Sequence, residues 1–169
     1  RQRQMCIRDR TMGAVQLSAS YNPKPGSAAA PESAESGYAV VYSGLMDGLE
    51  LSAGLFDDGD TAENDTVGVK YTMGSVTAAY QITNVDYEAT GSTDQDATHY
   101  GISVAINEDL SVSAGRQEIE FDGAADDEVN TGLMASYTMG SIAIGGGFNS
   151  VSSVGGSATA EDIDASIFN

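Results

Sequence analysis

The sequence predicts an all-β chain, an antiparallel meander of about ten strands, on three observations. Apolar residues alternate with small polar ones over most of the length, the period expected of strands with one apolar face. A turn-centred segment recurs, as YTMGSVTAAY at 71–80, YTMGSIAIGG at 137–146 and a partial TMGAVQLSASY at 11–21. Connections alternate between short and long, which sends successive turns to opposite ends of one sheet. No stretch of useful length has helical periodicity and no linker divides two compositions, so residues 11–169 form one domain.

Taken in order, strands are expected at 14–22, after the first copy of the turn, and at 37–45 and 49–57, around Met46-Asp47-Gly48. Strands 65–73 and 75–87 flank Met73-Gly74. Before that turn Val67, Val69, Tyr71 and Met73 alternate with Gly68, Lys70 and Thr72; after it Val76, Ala78, Tyr80 and Ile82 alternate with Thr77, Ala79, Gln81 and Thr83. Strands 98–107 and 110–121 flank Glu108-Asp109. Strands 129–139 and 141–152 flank Met139-Gly140, with Leu133, Ala135, Tyr137 and Met139, then Ile142, Ile144, Gly146 and Phe148, in one phase. A last, unfinished strand is expected at 162–169. Glycine suits these tight turns because it takes a positive φ at little cost. The long connections, 23–36, 58–64, 88–97, 122–128 and 153–161, hold nearly all the charge. In 110–121 the apolar phase shifts from Leu110, Val112 and Ala114 to Ile119 and Phe121, which predicts a bulge near Arg116 or a strand running past an apolar band.

The first ten residues, RQRQMCIRDR, stand apart: they hold four of the seven basic residues and the only cysteine. Back-translated, they spell AGATGTGTATAAGAGACAG, the mosaic-end adapter of transposase-made sequencing libraries. Residues 1–10 are therefore expected to be a translated adapter artefact without structure. They lack the apolar run of about 7 to 15 residues that a signal peptide needs. The break in the repeat, where Arg10 replaces the Tyr of the other copies, falls at the same junction. Without them the chain carries Lys24, Lys70 and Arg116 against 24 acidic residues, a charge of 3 − 24 = −21. That balance excludes nucleic acid as a partner, since phosphate affinity comes mainly from Lys and Arg. No cysteine remains for a disulfide, thiol nucleophile or Cys-ligated zinc site. No run approaches the roughly 18 apolar residues of a membrane helix, but a membrane strand needs only about 9 to 11 with every second one apolar.

Short turns at one end, acidic loops at the other and strict alternation between them resemble a Gram-negative general porin of the alphaproteobacterial type. The residues that carry the resemblance are the YTMGSV and YTMGSI turns, the GISVAINEDLSVSAG hairpin and the acidic loops, and it covers residues 11–169. It implies about ten transmembrane strands forming a partial, unclosed section of a 16-stranded porin barrel in the outer membrane. It implies, for the full-length protein, a homotrimer whose water-filled channels pass small hydrophilic solutes and ions by diffusion, with lipid around it, no cofactor and no enzymatic activity. Clustered carboxylates at the mouth would make the channel weakly cation-preferring. The chain then reads as an internal fragment, with the family's constriction loop assigned to no residue in it.

On this reading Lys70, Gln81, Ser103 and Ser136 face the lumen, where a cation tolerates water. Val67, Val69, Tyr71, Val76, Ala78, Tyr80, Ile102, Val104, Leu133, Tyr137, Ile142 and Ile144 face lipid. Tyr71 and Tyr137, at equivalent places before the tight turns, belong to the aromatic girdle. Asp58, Asp60, Glu63, Asp126, Asp127 and Glu128 form the acidic pore-mouth loops. Asp57, Asp58 and Asp60 could hold calcium, but the segment lacks EF-hand spacing and is expected to be solvated. His99, the only histidine, has no nucleophile elbow to serve. Two other readings fit the pattern: a secreted acidic β-sandwich or adhesin module binding calcium or a surface ligand through its long loops, and a small closed barrel.

Overall fold

The computed structural model describes residues 6–23, 33–59, 61–88, 91–159 and 162–168. They form eleven strands: β1 Cys6–Met12, β2 Val15–Asn22, β3 Glu35–Tyr42, β4 Leu49–Asp57, β5 Ala62–Met73, β6 Val76–Tyr87, β7 Gln95–Ala105, β8 Leu110–Phe121, β9 Glu128–Met139, β10 Ile142–Ser152 and β11 Ile163–Phe168. Each pairs antiparallel with its sequence neighbours in a single sheet of order β1 to β11. The ladder ends at β1 and β11 and does not close, so a small closed barrel is excluded for the described residues.

Ten of these strands lie where alternation places them. The three copies of the repeat share one device: Gly13, Gly74 and Gly140 have φ of 63°, 59° and 63°, and a Cβ at any of them would meet nothing within 4 Å. The repeat therefore needs glycine for its backbone conformation and not for space. Several connections differ in length from expectation; β7 begins at Gln95 and ends at Ala105, which shortens the 88–97 loop and widens the turn at 108–109. Strand β5 begins at Ala62, which shortens the 58–64 loop, and β3 ends at Tyr42, which widens the turn at 46–48.

Two expectations are corrected. Cys6 to Arg10 are not structureless: they pair with Ala19, Ser18, Leu17 and their neighbours as part of β1. Ladder hydrogen bonds use backbone groups, so the free edge of β2, reached through the Gly13 turn, recruits a preceding chain whatever its side chains. Nor is there a bulge near Arg116. Strand β8 runs in one-to-one register against β7 from Ser111 to Phe121 and against β9 from Leu110 to Ile119. The phase shift places Ile119 and Phe121 on the opposite face from Val112 and Ala114, where the 3₁₀ turn Val154–Gly156 packs against Phe121. A Cβ on Gly156 would lie 3.0 Å from the Phe121 ring and 2.6 Å from Ala124 Cβ, so only glycine fits there.

The sheet has no second layer. Among the described residues the only buried hydrophobic side chains are Ala62 and Ala97, at 8% and 9% exposure. A β-sandwich buries one face of every strand against another sheet about 10 Å away. That alternative is not favoured.

Candidate functional site

Directly opposed residues in adjacent strands share a face, so the register assigns every side chain. Val69 lies opposite Tyr80 and Leu51, Ala78 opposite Tyr71 and Ile102, Ala114 opposite Ile102 and Leu133, and Tyr137 opposite Leu110 and Ile144. All twelve apolar residues expected to share a face do so. Lys70, Gln81, Ser103 and Ser136 lie together on the other face, with Ser52, Thr77, Ser111 and Ser113.

The apolar face is bare. Val67, Ile102, Leu133 and Ile144 are 51%, 48%, 59% and 56% exposed. A contiguous apolar surface across the nine strands β2 to β10 is far larger than the few hundred Å² that a soluble monomer shows, and it requires an apolar solvent or partner.

The loop-end limit of this apolar surface is oblique to the ladder. Going from β3 to β10, the first polar residue on the apolar face is Ser36, Asp57, Asp65, Asn84, Thr98, Arg116, Thr131 and Ser150 in turn. Relative to the paired residues the limit steps back by two residues at the β4/β5, β6/β7 and β7/β8 interfaces and by none at the others. The average is about 0.9 residue, or about 3 Å, for each strand spacing of about 4.8 Å. A straight limit cutting the strands this way implies a tilt of about 30°, a little below the 35–45° typical of barrels. A flat polar/apolar boundary crossing tilted strands is what a membrane surface would impose.

Aromatic residues sit near both limits. Tyr71 and Tyr137 lie on the apolar face at the turn end. Tyr21, Tyr38 and Tyr100 hold the corresponding places at the loop end and were not singled out from sequence. Their signal was available: each shares the phase of its strand's apolar set and lies at its polar end.

On the small-polar face Lys70 Nζ meets Glu50 Oε1 at 2.7 Å, so the wall pairs this cation with its own carboxylate. Glu50 was missed because its partner lies across β4/β5, outside any local motif. His99 lies on the same face between Gln81 and Gln117.

The acidic residues divide. Asp126 and Asp127 are exposed in the 122–127 connection, and Asp58 is in the turn after β4. Glu63 and Glu128 belong instead to β5 and β9, a correction that follows from strands longer than alternation of apolar residues reveals. Asp60 lies outside the described residues. Asp57 Oδ1 accepts from Gly59 N at 2.6 Å; Asp58 accepts from Thr61 N at 2.7 Å, from Ala62 N at 3.0 Å and from the Thr61 hydroxyl. These carboxylates shape their own turn. Glu128 acts similarly at longer range, accepting from Asn130 Nδ2 at 2.9 Å and from Gly155 N at 2.8 Å, which fastens the 3₁₀ turn to β9. Arg116 and Glu118 pair at 2.6 Å on the apolar face, at its polar limit beside Tyr100.

The family model for Gram-negative porins matches residues 7–169. No curated protein matches the sequence. Among solved structures the chain is similar to a porin refined at 1.8 Å, with TM-score 0.72 and 17% identity over 96% of this chain and 60% of that one. It is similar to OpdO of Pseudomonas aeruginosa, with TM-score 0.69 and 14% identity over 87% of this chain and 53% of that one. The outer-membrane-expressed OmpT of Vibrio cholerae gives TM-score 0.70 and 15% identity over 96% and 61%. The chain thus spans between about half and three fifths of the solved chains it resembles.

Proposed function

The chain belongs to the Gram-negative porin family, whose place is the outer membrane, and from that premise we propose that it is a section of channel wall. In the full-length protein the wall encloses water through which small hydrophilic solutes and ions diffuse, without cofactor or chemistry. The observation that carries this reading is the oblique limit of the bare apolar face: one side of the sheet faces lipid and the other, rich in Ser, Thr, Gln and Gly, faces the pore. The lumen residues are then Lys70, Gln81, Ser103 and Ser136, and the girdle is Tyr71 and Tyr137. The section is part of a barrel of about 16 strands, of the alphaproteobacterial general-porin type, that assembles as a trimer.

Cation preference is part of the proposal. With Lys70 matched to Glu50, the wall offers no free cation among the described lumen-facing side chains. Asp58, Asp126 and Asp127 at the loop end add carboxylates at the mouth, where they raise the local cation concentration. The preference fades as added salt shortens the Debye length from about 10 Å at 0.1 M to about 3 Å at 1 M. Reversal potentials of the full-length protein in planar bilayers under a salt gradient test this: a cation-selective sign at low salt that shrinks at high salt is expected. Anion selectivity at low salt overturns the electrostatic argument.

A further inference from the structure

We propose that the lumen face carries a subsite for neutral polyhydroxylated solutes, formed by Gln81, His99, Gln117 and Asn130 beside a floor of glycines. The proposal rests on the channel reading and names a solute class for it.

The four side chains are one row of the ladder: Gln81 lies opposite His99, His99 opposite Gln117, and Gln117 opposite Asn130, on β6 to β9. Neighbouring members of such a row are about 5 Å apart. The adjacent row toward the turn end, on the same face, is Ala79, Gly101, Gly115, Gly132 and Asn149. It is open space. A Cβ on Gly101 would meet only backbone, with Ala114 O at 3.2 Å and the Gly115 Cα at 3.6 Å. At Gly115 it would meet Tyr100 O at 3.5 Å and the Gly101 Cα, and at Gly132 only Asn149 Oδ1 at 3.4 Å. Only Asn149 reaches into the trough these glycines leave, at the Gly132 end, and the two rows together bound a concavity of about 380 Å³.

The chemistry of the row selects the ligand. An amide presents a donor and an acceptor at once, and so does a neutral imidazole, which is the pattern a hydroxyl group answers. Among the described residues Gln117 and His99 make no side-chain hydrogen bond, while Gln81 Nε2 donates to Thr83 Oγ1 at 3.1 Å and keeps its carbonyl oxygen. Asn130 uses its Nδ2 on Glu128 and keeps its oxygen as well. Among the described residues one charged side chain reaches the row, Glu128, and of the row it engages only the Asn130 amide nitrogen. Glu128, the nearest carboxylate on this face, is held by Asn130 and Gly155; the Arg116 guanidinium is on the opposite face, bound to Glu118. An ion gains nothing here, whereas a solute with several hydroxyls finds several partners in line.

The test uses the full-length porin in planar bilayers, with raffinose as the probe and a polyethylene glycol of equal hydrodynamic radius as the control. Raffinose should reduce the KCl current saturably, while the glycol reduces it in proportion to concentration. In the double variant His99→Leu, Gln117→Leu the apparent raffinose affinity, read as block of that variant's own solute-free current, should fall about tenfold. Gln117→Ala alone should lose a smaller part of that affinity, and it serves if the double variant does not insert. Raffinose that behaves as the glycol does, or affinity that survives the substitutions, overturns the subsite and leaves the channel reading intact. A wild-type protein that inserts but passes no KCl refutes the channel reading and the subsite together.

Discussion

Val69 and Lys70 are neighbours in β5 with opposite phase, and exchanging the character of one against the other separates lipid from water on the two faces. Val69 lies midway along the apolar run of its strand, four residues from Met73 at the turn and four from Asp65 at the polar limit, and opposite Leu51 and Tyr80. If that face meets hydrocarbon, Val69→Arg places a guanidinium near the bilayer midplane at a cost of about 2–4 kcal/mol. On a water-exposed face the same change would fall within about 0.5 kcal/mol. The predicted effect on the folding equilibrium is therefore about 30-fold to about 1000-fold, against about 2-fold in the soluble case. Lys70→Ala supplies the control. It breaks only the ion pair with Glu50, whose partners are 48% and 38% exposed, and such pairs contribute about 0–1 kcal/mol. Urea titration of the full-length protein folded into phosphatidylcholine vesicles, run from both the folded and unfolded sides, measures both. Tolerance of Val69→Arg, or a cost for Lys70→Ala as large as that for Val69→Arg, would refute the face assignment.

Gly48→Ala should destabilise far more than Gly74→Ala in the same titration. Both have positive φ, a strain of about 1–2 kcal/mol, but a Cβ on Gly48 would also lie 2.0 Å from Thr72 O whereas one on Gly74 meets nothing. Glu128→Ala should release the Val154–Gly156 turn, seen as lost hydrogen-exchange protection at the Gly155 amide, with a cost of about 1–3 kcal/mol for a charge-assisted bond; unchanged protection would show that the turn is held by packing on Phe121 alone. The ten codons for residues 1–10 should be missing when the locus is amplified from original DNA, and finding them there would end the adapter explanation.

Alternation made ten strands and both faces legible because every second residue of a membrane strand answers to a different solvent. The repeat fixed the turns for a physical reason, the positive φ at Gly13, Gly74 and Gly140. What escaped the sequence was set across strands. The Glu50 partner of Lys70, the amide row from Gln81 to Asn130 and the oblique polar limit all depend on register, which no local pattern states. The ends of strands escaped too: Glu63 and Glu128 extend β5 and β9 past the last alternating apolar residue, where pairing is backbone against backbone. Ile119 and Phe121 misled because their phase looks like a bulge, whereas the strand stays in register and the 3₁₀ turn packs on Phe121. Strand β1 escaped because its pairing with β2 is backbone against backbone and Cys6 to Arg10 carry no alternating apolar pattern.

The central claim is that one face of the sheet meets lipid and the other meets water, and nitroxide scanning along β9 tests it most directly. In the full-length protein, single cysteines at Thr131 through Thr138 would carry the spin label in lipid vesicles. The account predicts a period of two: molecular oxygen, which concentrates in hydrocarbon, relaxes labels at Leu133, Ala135 and Tyr137, whereas a water-soluble nickel chelate relaxes those at Gly132, Met134 and Ser136. Equal access of the nickel chelate to both sets, or the same alternation with its phase reversed, would contradict it.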